Sequence, residues 1–250
     1  MRRQRLSSKA GRQASVDNLL ASAAQNTTAP VALSPSPGLF DLRKTHPLPR
    51  EFFNRDTRQV ARELLGKLLI RRHGERILAG RIVETEAYLG VDDHAAHAAA
   101  GRTARNAVLF GPPGFAYIYL IYGNHYCLNV SCLPDGEAGG VLFRALEPVA
   151  GLAEMARLRH VELSPAPRAT QLRQLTSGPG RLAHAFAITR LRDNGKDMTS
   201  PRRSDLWLAD DGYQPARIAE TPRIGITKAV DHPLRYIVAG SQLVSGKRVS

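Results

Sequence analysis

The sequence predicts a mixed α+β domain: a single unit on a largely antiparallel, curved sheet, with helices around it and a protruding β-hairpin. Three observations predict this. Strand-like and helix-like runs are interspersed without the regular alternation that a parallel sheet needs. Two apolar runs, residues 116–122 and 125–132, flank Gly123-Asn124, a strong hairpin signal. The chain has 250 residues at 43% hydrophobic content, enough for one globular domain with a real core.

In chain order, residues 1 to about 40 are rich in Ser, Ala, Arg and Pro and poor in aromatics. They lack the apolar density to fold alone, so a disordered basic tail is expected, with a transit-peptide composition as the alternative. The composition changes at Leu48. Residues 57–65 read as a helix with Asp56 as its N-cap, and a strand follows. "LAGRIVETEAY" (78–88) alternates as a strand. "GGVLFRALEP" reads as a strand, "GLAEMARLRH" and "SGPGRLAHAFAI" as helices, and "SDLWLAD", "RIAETPRIGI" and "LRYIVAGS" as late strands. Cys127 and Cys132 are the only cysteines; C-x4-C is not a usual zinc spacing, and two small buried hydrophobes are expected. No apolar run approaches the roughly 20 residues needed to span a bilayer, so no membrane partner is expected.

The formal net charge is +13. Residues 1–40 contribute +4 of it (Arg2, Arg3, Arg5, Lys9 and Arg12 against Asp17), so the excess is not only a tail effect. Such a balance favours a polyanionic partner. Three constellations could do chemistry. In a strand, Glu84, Glu86 and Tyr88 share one face, and carboxylates beside an aromatic are acid–base candidates; an exposed face with Glu paired to arginine is the equal alternative. Asp92-Asp93-His94-x-x-His97 offers a weak metal spacing, with His125 as a remote third ligand. Four of the seven tyrosines lie between Tyr117 and Tyr126. Strand tyrosines are commonly packers, which suits Tyr117 and Tyr126, whereas Tyr122 beside the turn is shaped to enter a DNA groove. Around these, the run Gly101–Asn106 with Arg102 and Arg105, Arg144 in a strand, and Gly178 and Arg181 in "SGPGRL" suit phosphate oxygens.

Together "GRIVETEAYLG", "DDHAAH", "RTARN", "GFAYIYLIYGNHYCLNV", "VLFRALEP" and "SGPGRL", in this order and spacing, resemble the alkyladenine (3-methyladenine) DNA glycosylase family. The likeness runs from about Leu48 to about Ser245. It implies a glycosylase domain over residues 41–250 that removes alkylated or deaminated purines, such as 3-methyladenine and hypoxanthine, by hydrolysing the N-glycosidic bond. It implies no cofactor and no metal, and an abasic-site product. Glu86 matches the family's general base and Arg144 the arginine that helps hold the attacking water. Tyr88, His97 and Tyr119 match the walls around the flipped base, and Asn129 the residue that disfavours the 2-amino group of guanine. Tyr122 matches the side chain that fills the gap in the duplex. Asn124-His125 stand where family members carry bulkier residues, which makes the wedge smaller and more polar. The expected partner is double-stranded DNA containing damaged purines, met by a monomer. The expected place is the bacterial cytoplasm at the nucleoid, with an organelle or nucleus as the alternative.

Overall fold

The computed structural model describes residues 40–246. The tail expected at residues 1 to about 40 therefore lies, apart from Phe40, outside the described residues. Among the described residues nine strands form one sheet: β1 (His46–Pro47), β2 (Leu68–His73), β3 (Arg76–Tyr88), β4 (Ala116–Ile121), β5 (His125–Ser131), β6 (Gly140–Ala150), β7 (Leu206–Asp210), β8 (Ile218–Thr221) and β9 (Arg235–Val238). The main path runs β1-β7-β2-β3-β6-β5-β4, and β9 lies between β3 and β8. Every named pairing is antiparallel, as expected.

Strand β3 organises the sheet because it changes partner part-way along. Its first half pairs with β2 and its second half with β9, where Glu84 opposes Ile237 and Glu86 opposes Arg235. On its other edge the register with β6 slips three times, first where Ala79 faces Ala150 and Gly80 faces Pro148, so that Val149 is extra. Ile82 faces Leu146 and Glu84 faces Ala145, so Val83 is extra; Thr85 then faces Phe143, so Arg144 is extra. Bulges of this kind bend a strand and re-aim side chains. The second and third bend the sheet where Glu84, Glu86 and Arg144 converge.

Five helices are present among the described residues: α1 (Thr57–Glu63), α2 (Leu152–Arg159), α3 (Ala169–Thr176), α4 (Pro179–Ala185) and α5 (Arg190–Asp193). Asp56 caps α1 as expected, its carboxylate accepting the Arg58 N–H at 2.8 Å, and the helix ends two residues before the expected Leu65. Pro179 opens α4, where its missing N–H costs nothing. Phe53, Leu64, Phe143, Leu146 and Phe186 belong to the main core, and each such side chain contributes about 1.5–3 kcal/mol on burial. A smaller cluster surrounds Trp207, and a third, with Leu109, Phe110 and Tyr117, backs the site. Cys127 and Cys132 are buried free thiols.

Three expectations change. Helices α3 and α5 were not anticipated; both are short and lie in polar, arginine-rich stretches. "RIAETPRIGI" is strand only as far as Thr221, because Pro222 has no N–H for the ladder, and the chain then turns into a loop. The hairpin turn is centred on Tyr122-Gly123, one residue earlier than expected, with the Asn124 N–H reaching the Ile121 carbonyl at 3.2 Å. Among the described residues no helix is long and apolar enough to cross a membrane.

Candidate active site

The two glutamates of β3 point the same way but have different surroundings. A carboxylate offers about four acceptor positions. Glu84 receives four donors: Arg144 Nε at 2.9 Å, Arg235 Nε at 2.7 Å, Ser245 Oγ at 2.9 Å and the Ser245 N–H. Glu86 accepts two, from the Ile224 N–H at 2.8 Å and Tyr88 Oη at 3.0 Å, and forms an ion pair with Arg144 Nη1 at 3.1 Å. Both are fully buried. Glu84, with three donors on Oε1 and one on Oε2, is the more heavily bonded and acts as an anchor for two arginines, while Glu86 keeps acceptor capacity for a proton. Burial pushes the Glu86 carboxyl above the ordinary glutamate range, against the opposing charge of Arg144.

Next to this pair opens a cavity of about 620 Å³. Tyr88, His97, Tyr119, Asn129 and Arg144 line it, so the structure gathers every residue expected around a flipped base. Tyr119 and His97 meet edge to face, their ring centres 4.4 Å apart. Burial, then the positive charge of Arg105, holds His97 below the ordinary histidine range. The ring is then neutral at pH 7, and its Nδ1 shares a hydrogen bond with the Tyr117 hydroxyl at 2.9 Å, the tautomer deciding which of them donates. Tyr117, expected only to pack, therefore also steadies a wall of the cavity. Cys127 is part of the same lining, and burial pushes its thiol up to about 11, so it presents a neutral surface. Asn129 is held by donating from Nδ2 to the Tyr117 carbonyl at 3.1 Å.

Tyr122 stands at the mouth of the cavity with 87% of its surface exposed. Its φ is +51°, a left-handed conformation uncommon for a residue with a side chain, and Gly123 follows at +74°. The turn therefore holds the ring out from the sheet at a cost in backbone strain. Of the phosphate candidates, Gly178 joins β6 through its N–H to the Arg144 carbonyl at 2.9 Å, next to Pro179 in the cavity lining. Arg105 borders an adjoining cleft with Thr103, Asn106 and Lys228, and Arg102 is exposed nearby. Arg181 is exposed on α4, with Nη1 turned toward the Arg173 and Ser177 carbonyls at 3.4 Å.

Asp93, a candidate metal ligand with His94 and His97 by spacing, has another role. Its carboxylate binds the Arg223 guanidinium through Nη1 at 2.5 Å and Nη2 at 2.9 Å, and accepts the Leu89 and Ala95 N–H groups, both at 3.1 Å. Among the described residues no group of three or more His, Cys, Asp or Glu side chains is arranged to hold a metal ion. Sequence reasoning also missed Arg223, Arg235 and Ser245. No local motif marks them; each is paired with residues of the site more than a hundred positions away.

Comparison with known proteins gives concordant matches. The family described as methylpurine-DNA glycosylase matches residues 51–242. A protein of Koribacter versatilis is 69% identical over 207 residues, covering 83% of this chain and 97% of the relative. One from Burkholderia cenocepacia is 46% identical over 80% of this chain and 91% of its own length. One from Methanocella arvoryzae is 46% identical over 75% of this chain and 88% of its own length. All three carry the name "Putative 3-methyladenine DNA glycosylase".

Proposed function

The chain belongs to the methylpurine-DNA glycosylase family, DNA-repair hydrolases of N-glycosyl bonds, and we propose that it frees alkylated and deaminated purines with Glu86 as the base. The observation that carries this reading is a buried carboxylate with acceptor capacity left, whose partners Tyr88 and Arg144 line an aromatic cavity large enough to take a purine. Glu86 takes a proton from water as that water attacks the anomeric carbon. Arg144, held by Glu84, orients the water. The transition state resembles an oxocarbenium ion, so the same carboxylate also opposes its positive charge.

The anomeric carbon is inaccessible in stacked DNA, so the nucleotide must leave the helix at a cost of a few kcal/mol, least for damaged bases. Tyr122 offsets this by filling the gap. Tyr88 on one side and His97 with Tyr119 on the other receive the base. Alkylation at purine ring nitrogens leaves a positive charge, which π-faces attract, and a neutral His97 does not repel it. Asn129 at the pocket wall disfavours the 2-amino group of guanine. Arg102, Arg105, Gly178 and Arg181 hold the backbone. The protein acts as a monomer on duplex DNA at the nucleoid, and residues 41–250 form the glycosylase domain.

The test is base release from duplex oligonucleotides carrying one hypoxanthine or one alkylated adenine, in EDTA. The wild type releases base without forming a borohydride-trapped DNA adduct. Glu86→Gln keeps duplex binding and loses release by about 10²–10⁴-fold or more. A Glu86→Gln variant that cuts as well as wild type sinks the assignment. Binding without release by the wild type makes the protein a silent lesion-binding module.

A further inference from the structure

A charge that the proposed chemistry does not use lies behind Tyr88. The Arg223 guanidinium sits 4.8 Å from the Tyr88 ring centre. Its side chain is wholly buried and does not border the cavity, whereas Tyr88 does. Arg223 therefore covers the ring face turned away from the base. Its partners hold it there: two bonds to Asp93 and one from Nη1 to the Ala87 carbonyl at 3.1 Å. Nε has no hydrogen-bond partner among the described residues, and beyond its bonded partners this desolvated cation feels the Tyr88 side chain and, more weakly, the Glu86 carboxylate.

We propose that the Arg223–Asp93 pair sets the balance between cationic and neutral bases in the pocket, acting through Tyr88. This rests on the reading of Tyr88 as a stacking wall. A tyrosine ring attracts a cation at either face through one quadrupole. With a guanidinium on the far face, a cationic base on the near face meets a ring already polarised away from it, and a like charge beyond. A neutral base meets no such penalty. Asp93 offsets part of the guanidinium charge, so the pair acts as a graded electrostatic backing. Arg223 is a positioning and selectivity residue, since it touches neither the base nor the water.

The two partners consequently have opposite effects. Arg223→Met keeps much of the packing and removes the charge. Asp93→Asn keeps the guanidinium and removes its compensation. The readout is the ratio of single-turnover release of 3-methyladenine from methylated duplex DNA to that of hypoxanthine from a duplex with one inosine. Arg223→Met raises this ratio by about two- to fivefold and Asp93→Asn lowers it by a similar factor. Arg223→Lys, which keeps the charge, leaves it within about twofold of wild type even if both rates fall. Equal loss on both lesions in every variant would mean a purely structural clamp and would overturn the inference, as would ratios moving in one direction. If Asp93→Asn does not fold, the contrast between Arg223→Met and Arg223→Lys decides. If the wild type releases neither base, the glycosylase reading fails instead.

Discussion

Glu84 and Glu86 are two residues apart on one strand face and equally buried, and the proposed function gives them opposite jobs. Nothing in "ETEAY" distinguishes them by physics alone; only the resemblance assigns the base to Glu86. The difference lies in the donors each receives, and those come from Arg144, Ile224, Arg235 and Ser245, far away in the chain. The two should therefore fail differently. Glu84→Gln leaves the buried Arg144 and Arg235 short of an anion and costs about 3–5 kcal/mol, read as a drop in melting temperature. Glu86→Gln removes a carboxylate whose charge burial already disfavours, so melting changes little while release is lost. Acid pH reports the same group. Glu86 must be ionised to take a proton, and its raised pKa places the loss of activity, on lowering pH, above the ordinary glutamate value of about 4.3. Arg144 opposes that rise, so Arg144→Met should displace the acid limb further toward neutral pH as well as slow the reaction. A single-turnover pH–rate profile measures both; an acid limb unmoved by the arginine would separate Arg144 from the base.

At the scale of elements, the hairpin is legible in the sequence and its turn is not. Alternating apolar runs around Gly123-Asn124 locate β4 and β5 correctly. Gly-Asn reads as the turn centre because both residues tolerate positive φ. The structure instead places Tyr122 there, a residue that pure turn chemistry argues against. Such a conflict between local preference and fold is expected where function holds a side chain in position. Glycine at 122 removes the ring and the strain together. Tyr122→Gly should then melt no lower than wild type, and higher by up to about 1 kcal/mol. It should lose about 1–3 kcal/mol of lesion capture, read as a roughly 5- to 150-fold slower release from a fully paired duplex. Release from a lesion lying in an unpaired bulge, which needs no plug, should change much less. Equal slowing on both substrates would show that the tyrosine acts in the pocket rather than in the duplex. Loop 222–226 illustrates the opposite failure of reading. A strand-like composition hides a loop, and the loop supplies the Ile224 N–H to Glu86 and the Arg223 backing of Tyr88.

For the whole molecule, the antiparallel α+β architecture and the basic balance are visible from composition and rhythm. The convergence of β3, β6, β9 and residue 245 is not, because pairing across 151 to 161 positions leaves no local periodicity. Charge gives a test at this scale. Of the formal +13, the first 40 residues carry +4 and the rest +9. The proposed chemistry lies entirely within residues 84–245, whereas non-specific grip on DNA depends on cations wherever they are placed. Deleting residues 1–39 should thus leave single-turnover release unchanged at saturating enzyme. It should weaken binding to undamaged duplex and flatten the dependence of log K on log salt, by about 0.9 for each phosphate that the tail no longer neutralises. The salt slopes of the full chain and the truncated one, measured side by side, divide the grip between tail and domain. An unchanged slope would place the whole phosphate grip on the domain, with Arg102, Arg105 and Arg181 as the first to substitute.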